Sequence, residues 1–279
     1  MSMLNKLAIN TAIFDGHNIK VSLQTIRKLG INHVEFAFNQ GYVGHLDNEL
    51  FSTKNAKNLL RLMDNENLTS EALGCTMNLA APTAIEDFKL RIDFATQIGA
   101  TYLNTCTGAI ADRKIIIENL QELAIYAEDK GRVICLENGG DLNFNAFASA
   151  HDGVRLLSEV DHQSVALNFD PGNSVSLVPN LSPSEEALIA LPFCQHFHLK
   201  DVAVHDDMFT FPALGEGIVN FKPIMKVINN RQLAFSIEKP LRMYRRKDSF
   251  AVRDASTVDI NVIETTLQKS IQHLSQLIG

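Results

Sequence analysis

Short apolar runs with the character of strands alternate along the chain with longer segments in which apolar residues recur at helical spacing. The runs predict strands at residues 7–14, 33–38, 68–79, 101–107, 132–137, 164–170, 194–201 and 233–238. Helices are predicted at residues 22–29, 85–98, 114–130, 144–160 and 221–230. Three more helices are predicted: one after a cap at Ser52 or Thr53, one at the capping-box pattern that begins with Ser182, and one along the apolar stripe from Ile263 to Leu274. The chain therefore alternates strand and helix from one end to the other.

This alternation has few structural solutions. About eight strands, each followed by a helix, favour a parallel sheet with helical crossovers. We therefore expect a single α/β domain over residues 1–279 that forms a closed (β/α)8 TIM barrel, with an open doubly wound sheet as the alternative. The sequence contains no GxGxxG loop, linker or low-complexity tract that would indicate a dinucleotide site or a second domain.

Composition narrows the class of protein. The 279 residues are 46% hydrophobic and 20% charged, as in ordinary globular proteins, and their formal net charge of −7 argues against nucleic-acid binding. The basic cluster at residues 242–247 is too small to change that view. No run approaches the roughly 18 apolar residues of a membrane span, and the start of the chain lacks the apolar region of a signal peptide. We expect a cytoplasmic protein without membrane contact, whose four cysteines, none in CxxC spacing, are free core thiols.

The stretch CQHFHLKD, at residues 194–201, places polar side chains in a run that otherwise resembles a buried strand. Alternation puts His196, His198 and Lys200 on one face, where buried polar groups need partners or a function. In a barrel, the chemistry lies at the carboxyl ends of the strands. Polar residues occupy that position on four successive strands: Glu137, Asp170, His198 and Glu238. A supporting layer is predicted two residues earlier on the same faces: Cys135, Asn168, His196 and Ser236.

Two glutamates, an aspartate and a histidine at one barrel mouth are suitable ligands for Mn²⁺, Mg²⁺, Co²⁺ or Zn²⁺. Without a cation, three carboxylates at that mouth would repel each other and their pKa values would rise. We therefore predict one divalent metal ion bound by Glu137, Asp170, His198 and Glu238. The alternative is that each acid only ends a strand and caps the helix that follows.

The motifs that contain these residues resemble those of the xylose-isomerase-like TIM barrels, a superfamily of sugar and sugar-phosphate isomerases and epimerases. The matching segments are LEN at Glu137, NFDPGN at Asp170, HFHLKD at His198, LGEG at residues 214–217 and SIEKP at Glu238, and they keep their order over essentially the whole chain. The resemblance implies the same four metal ligands, a sugar or sugar phosphate as substrate, and a homodimer or homotetramer as the common assembly. In the ketose 3-epimerases of this superfamily the two metal-binding glutamates also move the proton, which implies Glu137 and Glu238 as the acid/base pair.

The implied chemistry is proton transfer next to a carbonyl through a metal-stabilised enediolate. Two carboxylates on opposite faces of the substrate permit epimerisation, whereas a proton carrier on one face favours 1,2-isomerisation. The ketose epimerases usually have histidine three residues after the metal-binding aspartate, and this chain has Asn173 there, which leaves the reaction type open. A metal-dependent dehydratase of the 3-dehydroshikimate type is the closest alternative, and a catalytically inactive barrel that binds a small molecule is another.

Five residues are candidate substrate contacts. Glu35 can point into the barrel and bind a hydroxyl, or it can support a neighbouring ligand. Asn173 takes the place of the epimerase histidine. Lys200 can hold a substrate oxygen or pair with Glu216 at the rim. Arg242 follows the eighth strand together with Arg245 and Arg246, where barrels often bind phosphate. A bidentate arginine there would suit a phosphorylated sugar, with a solvated basic patch as the alternative.

Overall fold

The structure is a computed structural model that describes residues 3–40, 42, 44, 46–247 and 249–278. Its first strands, in chain order, are β1 (Leu7–Asn10), β2 (His33–Ala37), β3 (Thr69–Gly74), β4 (Tyr102–Thr105), β5 (Val133–Glu137), β6 (Val165–Phe169), β7 (Cys194–Leu199), β8 (Ala203–His205), β9 (Met208–Thr210) and β10 (Ala234–Ile237). β1 to β7 and β10 form a closed parallel barrel in which β10 pairs with both β1 and β7. The predicted (β/α)8 barrel is confirmed, and the open sheet is wrong.

Helices connect the strands of the barrel. They are α1 (Ile19–Lys28), α2 (Thr53–Glu66), α3 (Ala84–Ile98), α4 (Arg113–Asp129), α5 (Ala150–Val160), α6 (Pro171–Leu177), α7 (Pro183–Ala190), α8 (Phe221–Arg231) and α9 (Ile260–Ile278). The predicted cap at Ser52 is confirmed, because its side chain accepts a hydrogen bond from the backbone N–H of Asn55. α3 ends at Gly99, which takes the left-handed conformation that glycine adopts at little cost. None of the described helices is both long and apolar enough to cross a membrane.

Side chains of the barrel strands alternate between two environments. The outward face carries fully buried apolar residues that pack under the helices, such as Ile134, Leu136, Phe197 and Phe235. The inward face of the same strands carries smaller or polar residues, among them Cys135, Asn168, His196 and Ser236. The cysteines are all buried and free, as predicted. Burial of the outward residues therefore fixes which side chains of β5, β6, β7 and β10 point into the barrel.

A second, antiparallel sheet lies outside the barrel and was not predicted. It contains β8, β9, β11 (Met243–Arg246) and β12 (Val252–Arg253), in the order β12-β11-β9-β8. These strands are two to four residues long, too short for alternation to distinguish them from loops. The sheet joins the segment after β7 to the segment after β10, at the carboxyl end of the barrel.

The start of α5 and the presence of α6 differ from the prediction. The helix expected from residue 144 begins at Ala150, because Ser149 and Asp152 form a reciprocal capping box there. α6 was not predicted, since the segment PGN that starts it reads as a turn. Asp170 caps α6 through its side chain, and Pro171 occupies the first turn, where no N–H is required.

Candidate metal centre and active site

Four buried side chains meet at the carboxyl end of the barrel, and we call them the acid–histidine cluster: Glu137, Asp170, His198 and Glu238. Glu137 ends β5, Asp170 and Glu238 directly follow β6 and β10, and His198 lies one residue before the end of β7. Each is at most 6% exposed, and one ligand atom from each lies within 4.8 Å of the others. Side chains that are far apart in the sequence thus surround a single point.

The imidazole of His198 has two different sides. Its Nδ1 lies 3.3 Å from Glu137 Oε1, 3.7 Å from Glu238 Oε2 and 3.9 Å from Asp170 Oδ2. Its Nε2 lies on the other side of the ring, 3.0 Å from Glu35 Oε1. Nδ1 is therefore the atom that His198 offers to a ligand shared with the three carboxylates.

Asp170 is held by the start of α6. Its Oδ1 accepts a hydrogen bond from the backbone N–H of Asn173 at 3.1 Å, and Asn138 binds its backbone N–H and carbonyl at 2.7 Å each. Its Oδ2 is buried and accepts no hydrogen bond of good geometry from the described residues. The ammonium of Lys200 lies 2.7 Å from this oxygen, as an ion pair without that geometry. A buried anionic oxygen that lacks hydrogen bonds is a suitable position for a cation.

The charges of the cluster also suit a divalent cation. Lys200 Nζ contacts Glu238 Oε2 at 2.5 Å as well as Asp170, so one ammonium pairs with two of the three carboxylates of the cluster. With His198 neutral, as a metal-ligating imidazole must be, the three carboxylates of the cluster and Lys200 carry a net charge of −2, which one divalent ion would neutralise. Carboxylate oxygens with one imidazole nitrogen are a donor set that Mn²⁺, Mg²⁺, Co²⁺ and Zn²⁺ accept. The residues present therefore fit the implied metal.

The cluster shifts the pKa values of its members. Burial raises the pKa of Glu137 and raises that of Asp170 to about 7, and the other carboxylates add to the effect. Burial also opposes charge on Glu238, but Lys200 and His198 outweigh it and lower the pKa of Glu238 to about 2. For His198, burial favours the neutral ring, yet the carboxylates of Glu35, Glu137 and Glu238 raise its pKa well above the usual value. The two glutamates thus have unlike environments at one site.

Glu35 lies beneath His198 in the barrel interior, and no part of it is exposed. Besides its contact with His198, its carboxylate accepts hydrogen bonds from Asn104 Nδ2 at 2.8 Å and from the hydroxyl of Ser236. Burial opposes the charge of Glu35, but the contact with His198 overcomes this and lowers its pKa. This position corrects the expectation that Glu35 binds substrate, because its carboxylate contacts His198, Asn104 and Ser236 in the barrel interior and does not line the cavity. Its carboxylate instead orients the imidazole, the second role that the sequence left open.

The layer of residues expected to support the ligands lies beside Glu35. Asn168 stands between the two imidazoles, with Oδ1 3.1 Å from His196 Nδ1 and Nδ2 3.2 Å from His198 Nδ1. The rings of His196 and His198 meet at right angles, with centroids 5.4 Å apart. Burial lowers the pKa of His196 to about 3, so this ring is neutral near pH 7. His196 therefore belongs to the packing beneath the cluster, and Ser236 joins it through Glu35.

A cavity opens above the cluster, and its lining includes four of the predicted site residues: Glu137, Asn173, Lys200 and Glu238. Asp170 and His198 do not line it. The lining also includes Arg245, one of the arginines that follow the eighth strand, and several residues that were not predicted site residues: Asn39, Tyr42, Thr76, Cys106 and Met243. Most of these follow strands on the side of the barrel away from β6 and β7, where no polar motif drew attention to them.

Asn173 connects the cluster to Arg245. Its Nδ2 donates to Glu137 Oε1 at 2.8 Å, and its Oδ1 accepts from Arg245 Nη1 at 2.7 Å. Arg245 belongs to the basic cluster noted in the sequence, but the strand that turns it towards the cavity was not predicted. Alternation along β11 would have separated Arg245 from Arg246, which is exposed and pairs with Asp207.

Two predicted substrate contacts lie elsewhere. Arg242 contacts Asp15 at 3.1 Å and the backbone carbonyls of Asp254 and Ala255, and it does not line the cavity. Glu216 is on the surface and pairs with Lys269. These positions correct both expectations, because each side chain is already paired and neither lines the cavity.

The LGEG segment is tied to the strand motif by Asp201. Asp201 Oδ2 accepts hydrogen bonds from the backbone N–H groups of Gly215 and Gly217 at 2.9 Å each. Gly215 has φ +87°, and a Cβ on Gly217 would lie 2.2 Å from Asp201 Oδ1. Both glycines are therefore required by the turn itself, and LGEG supports the loop after β7 without reaching the cavity.

The closed parallel barrel carries the acid–histidine cluster at its carboxyl end, where (β/α)8 barrel enzymes have their active sites. Residues 23–250 match the family model described as xylose isomerase-like TIM barrel. The chain belongs to this family, and the resemblance noted in the sequence is confirmed.

Solved structures of similar fold cover nearly the whole chain. A xylose isomerase-like TIM barrel protein from Mycobacterium smegmatis in complex with magnesium is 21% identical, with a TM-score of 0.70 over 98% of this chain and 97% of that chain. The D-psicose 3-epimerase with D-tagatose from Clostridium cellulolyticum H10 is 17% identical, with a TM-score of 0.74 over 100% and 99%. A probable 3-DHS dehydratase from Bacillus anthracis is 15% identical, with a TM-score of 0.71 over 96% and 98%. No curated protein matches the sequence. At these identities the structures show a common fold.

Proposed function

We propose that the chain is a divalent-metal-dependent isomerase or epimerase of a sugar or sugar phosphate, in which Glu137 and Glu238 exchange the proton. The ion would be held by Glu137, Asp170, His198 and Glu238. The observation that carries the proposal is that Glu137 and Glu238 belong to the buried cluster and also line the cavity, whereas Asp170 and His198 lie below it. Membership of the xylose isomerase-like family supports it.

The positions of the two glutamates suit proton transfer. β6 and β7 separate β5 from β10 on the barrel wall, so the two carboxylates reach the cavity from different strands, and both lie within 4 Å of His198 Nδ1. Removing a proton next to a carbonyl requires a base at one position, and returning it on the other face requires an acid at another. Burial and the charge of Glu238 raise the pKa of Glu137, whereas Lys200 and His198 lower the pKa of Glu238, so the two carboxyl groups differ in proton affinity. A bound divalent ion supplies Lewis-acid stabilisation of the charge that develops on the carbonyl oxygen.

The surrounding residues position the reacting groups. Asn173 donates to Glu137 Oε1 and restrains that carboxylate, while Lys200 restrains Glu238 from the cavity side. Glu35 holds the imidazole of His198 from below. Orientation of this kind matters because small displacements of a catalytic group lower the rate steeply.

Dehydration is a second candidate function. Loss of water requires a proton donor for the departing hydroxyl in addition to the base that removes the proton. Lys200 lines the cavity, is 2% exposed and contacts Glu238, so an ammonium donor stands beside a carboxylate base. The similarity to the probable 3-DHS dehydratase supports this candidate at the level of the fold.

Isotope exchange tests the proposed function. Purified protein loaded with Mn²⁺ is incubated in D₂O with a panel of ketoses and ketose phosphates, and deuterium is located by NMR. Deuterium at C3 indicates epimerisation, deuterium at C1 or C2 indicates isomerisation, and a conjugated product formed from 3-dehydroshikimate indicates dehydration. Glu238→Gln should slow exchange by about 10²- to 10⁴-fold, the usual contribution of a general base, while Glu216→Gln, a surface control, should not change it.

Two results contradict the proposal. Elemental analysis that finds no stoichiometric divalent metal, together with thermal stability unchanged by EDTA, removes the metal dependence. Full exchange by Glu238→Gln removes this residue from the acid/base pair.

A further inference from the structure

Arg245 is a buried cation in the wall of the cavity. It is 4% exposed, and its guanidinium packs against the rings of Tyr42 and Phe211, with Cζ 5.9 Å and 5.5 Å from their centroids. Its Nη1 donates to Asn173 Oδ1, which is neutral, and none of the described carboxylates lies within 4.0 Å as a salt-bridge partner. A buried charge without a partner of opposite charge is costly.

The unpaired part of Arg245 is one edge of the guanidinium. Nη1 is used by Asn173, while Nε is buried without a hydrogen bond and Nη2 donates to none of the described residues. Nε–H and Nη2–H point in parallel along this edge, so the pair matches two oxygens of one carboxylate or phosphate. The hydroxyl of Tyr42 is buried in the same cavity and also has no partner among the described residues.

The guanidinium of Arg245 packs directly against the backbone at Gly140. A Cβ on Gly140 would lie 1.6 Å from Arg245 Nη1, so any larger residue there would displace the guanidinium. The hydrogen bond to Asn173 requires a donor at this position, and a neutral side chain could provide it. The hydrogen bond alone therefore does not account for a positive charge buried here. Asn173 also joins Arg245 to Glu137, so the unpaired edge lies two hydrogen bonds from the acid–histidine cluster.

We infer that Arg245, with Tyr42, binds an oxyanion of the substrate, so that the cavity takes an acidic sugar derivative in preference to a neutral sugar. The oxyanion is a carboxylate or a phosphate, since both offer the two oxygens that the arginine edge requires. Arg245 lines the cavity that opens above the acid–histidine cluster, so one small molecule can contact both. Its acidic group would bind Arg245 while its reacting carbons lie at the cluster. This inference rests on the proposed function and specifies its substrate class.

Calorimetric titration of the Mn²⁺-loaded protein tests this inference. The probes are D-fructose, D-gluconate and D-fructose 6-phosphate. We expect at least one of the two anions to bind about tenfold or more tightly than D-fructose, which corresponds to about 1.4 kcal/mol. The anion that does so identifies carboxylate or phosphate. Arg245→Gln should remove the preference for the anion over D-fructose, while Arg245→Lys, which keeps the charge but loses the paired edge, should retain part of it.

Arg246→Gln is the matched control, because Arg246 is the next residue on β11 but is exposed and pairs with Asp207. It should bind all three probes like the wild type. The inference is overturned if the wild type prefers neither anion, or if Arg245→Gln, shown to be folded by its unchanged thermal melt, keeps the preference. Mn²⁺ binding measured in the same titrations separates the two proposals. A wild type that binds Mn²⁺ without anion preference refutes this inference alone, and a wild type that binds no Mn²⁺ refutes the proposed function.

Discussion

Replacing Glu35 by glutamine tests whether a carboxylate beneath the cluster sets the direction of His198. The change preserves the volume of a side chain that is fully buried. It removes the negative charge that faces His198 Nε2 at 3.0 Å and that also accepts from Asn104 and Ser236. Glutamine has one acceptor oxygen, and its NH₂ group must face one of these donors. At least one of the hydrogen bonds is therefore lost.

The magnitude follows from these contacts. A hydrogen bond to a charged group contributes about 1.5–3 kcal/mol, so the free energy of unfolding should fall by about 2 kcal/mol. Without its acceptor at Nε2, the imidazole no longer holds Nδ1 toward Glu137, Asp170 and Glu238. Loss of such an orienting group typically weakens metal binding by about 10- to 100-fold.

Two measurements on Glu35→Gln check the reasoning: urea unfolding in EDTA, and calorimetric titration with Mn²⁺. Glu71→Gln, a change at an exposed glutamate on the neighbouring strand β3, is the control and should leave both unchanged. ¹⁵N NMR of the imidazoles reports the tautomer of His198 directly. A folded Glu35→Gln variant that binds Mn²⁺ as tightly as the wild type would refute the orienting role.

Three further outcomes follow from the contacts of single side chains. His198→Ala should abolish stoichiometric metal binding in a calorimetric titration, whereas His196→Ala, which removes a ring beneath the cluster, should weaken it by about 10- to 100-fold or lower the melting temperature. Lys239→Met should raise the free energy of unfolding by about 1–3 kcal/mol, since Lys239 is 1% exposed and its Nζ has no hydrogen bond within the described chain. Lys57→Met, at an exposed lysine of α2, is the control, and an equal effect of both changes would contradict the reason given. Gly140→Ala should reproduce the ligand preference of Arg245→Gln, because its Cβ would occupy the position of the guanidinium, and an unchanged preference would exclude this steric coupling.

The architecture could be predicted because it depends on local periodicity. Apolar residues such as Ile134, Leu136 and Phe197 alternate along strands that are buried from the outside, and capped amphipathic segments follow them. Hydrogen bonding and burial act there over a few neighbouring residues, so the sequence pattern carries the information. The sheet that contains β11 could not be predicted, since strands of this length form only when a partner from a distant segment pairs with them.

The depth of Glu35 in the barrel and the orientation of Arg245 could not be predicted from the sequence. Alternation correctly turned Glu35 inward, but its depth below His198 depends on the stagger between strands, which pairs Glu35 with Asn10 and Ala72. Arg245 and Arg242 are three residues apart and look equivalent in the sequence. The pairing of β11 with β9 turns Arg245 towards the cavity, while Arg242, which precedes β11, pairs with Asp15 and does not line the cavity.

The sequence by itself determined the barrel, the family and the motifs that carry Glu137, Asp170, His198 and Glu238 to the ends of four strands. Those features follow from alternation and from short local motifs. Only the tertiary structure decided which nitrogen of His198 faces the carboxylates, that Lys200 contacts two of them, and that Arg245 lies in the cavity wall. These depend on distances between segments far apart in the chain, and such distances are fixed by closure of the barrel and packing of the outer sheet.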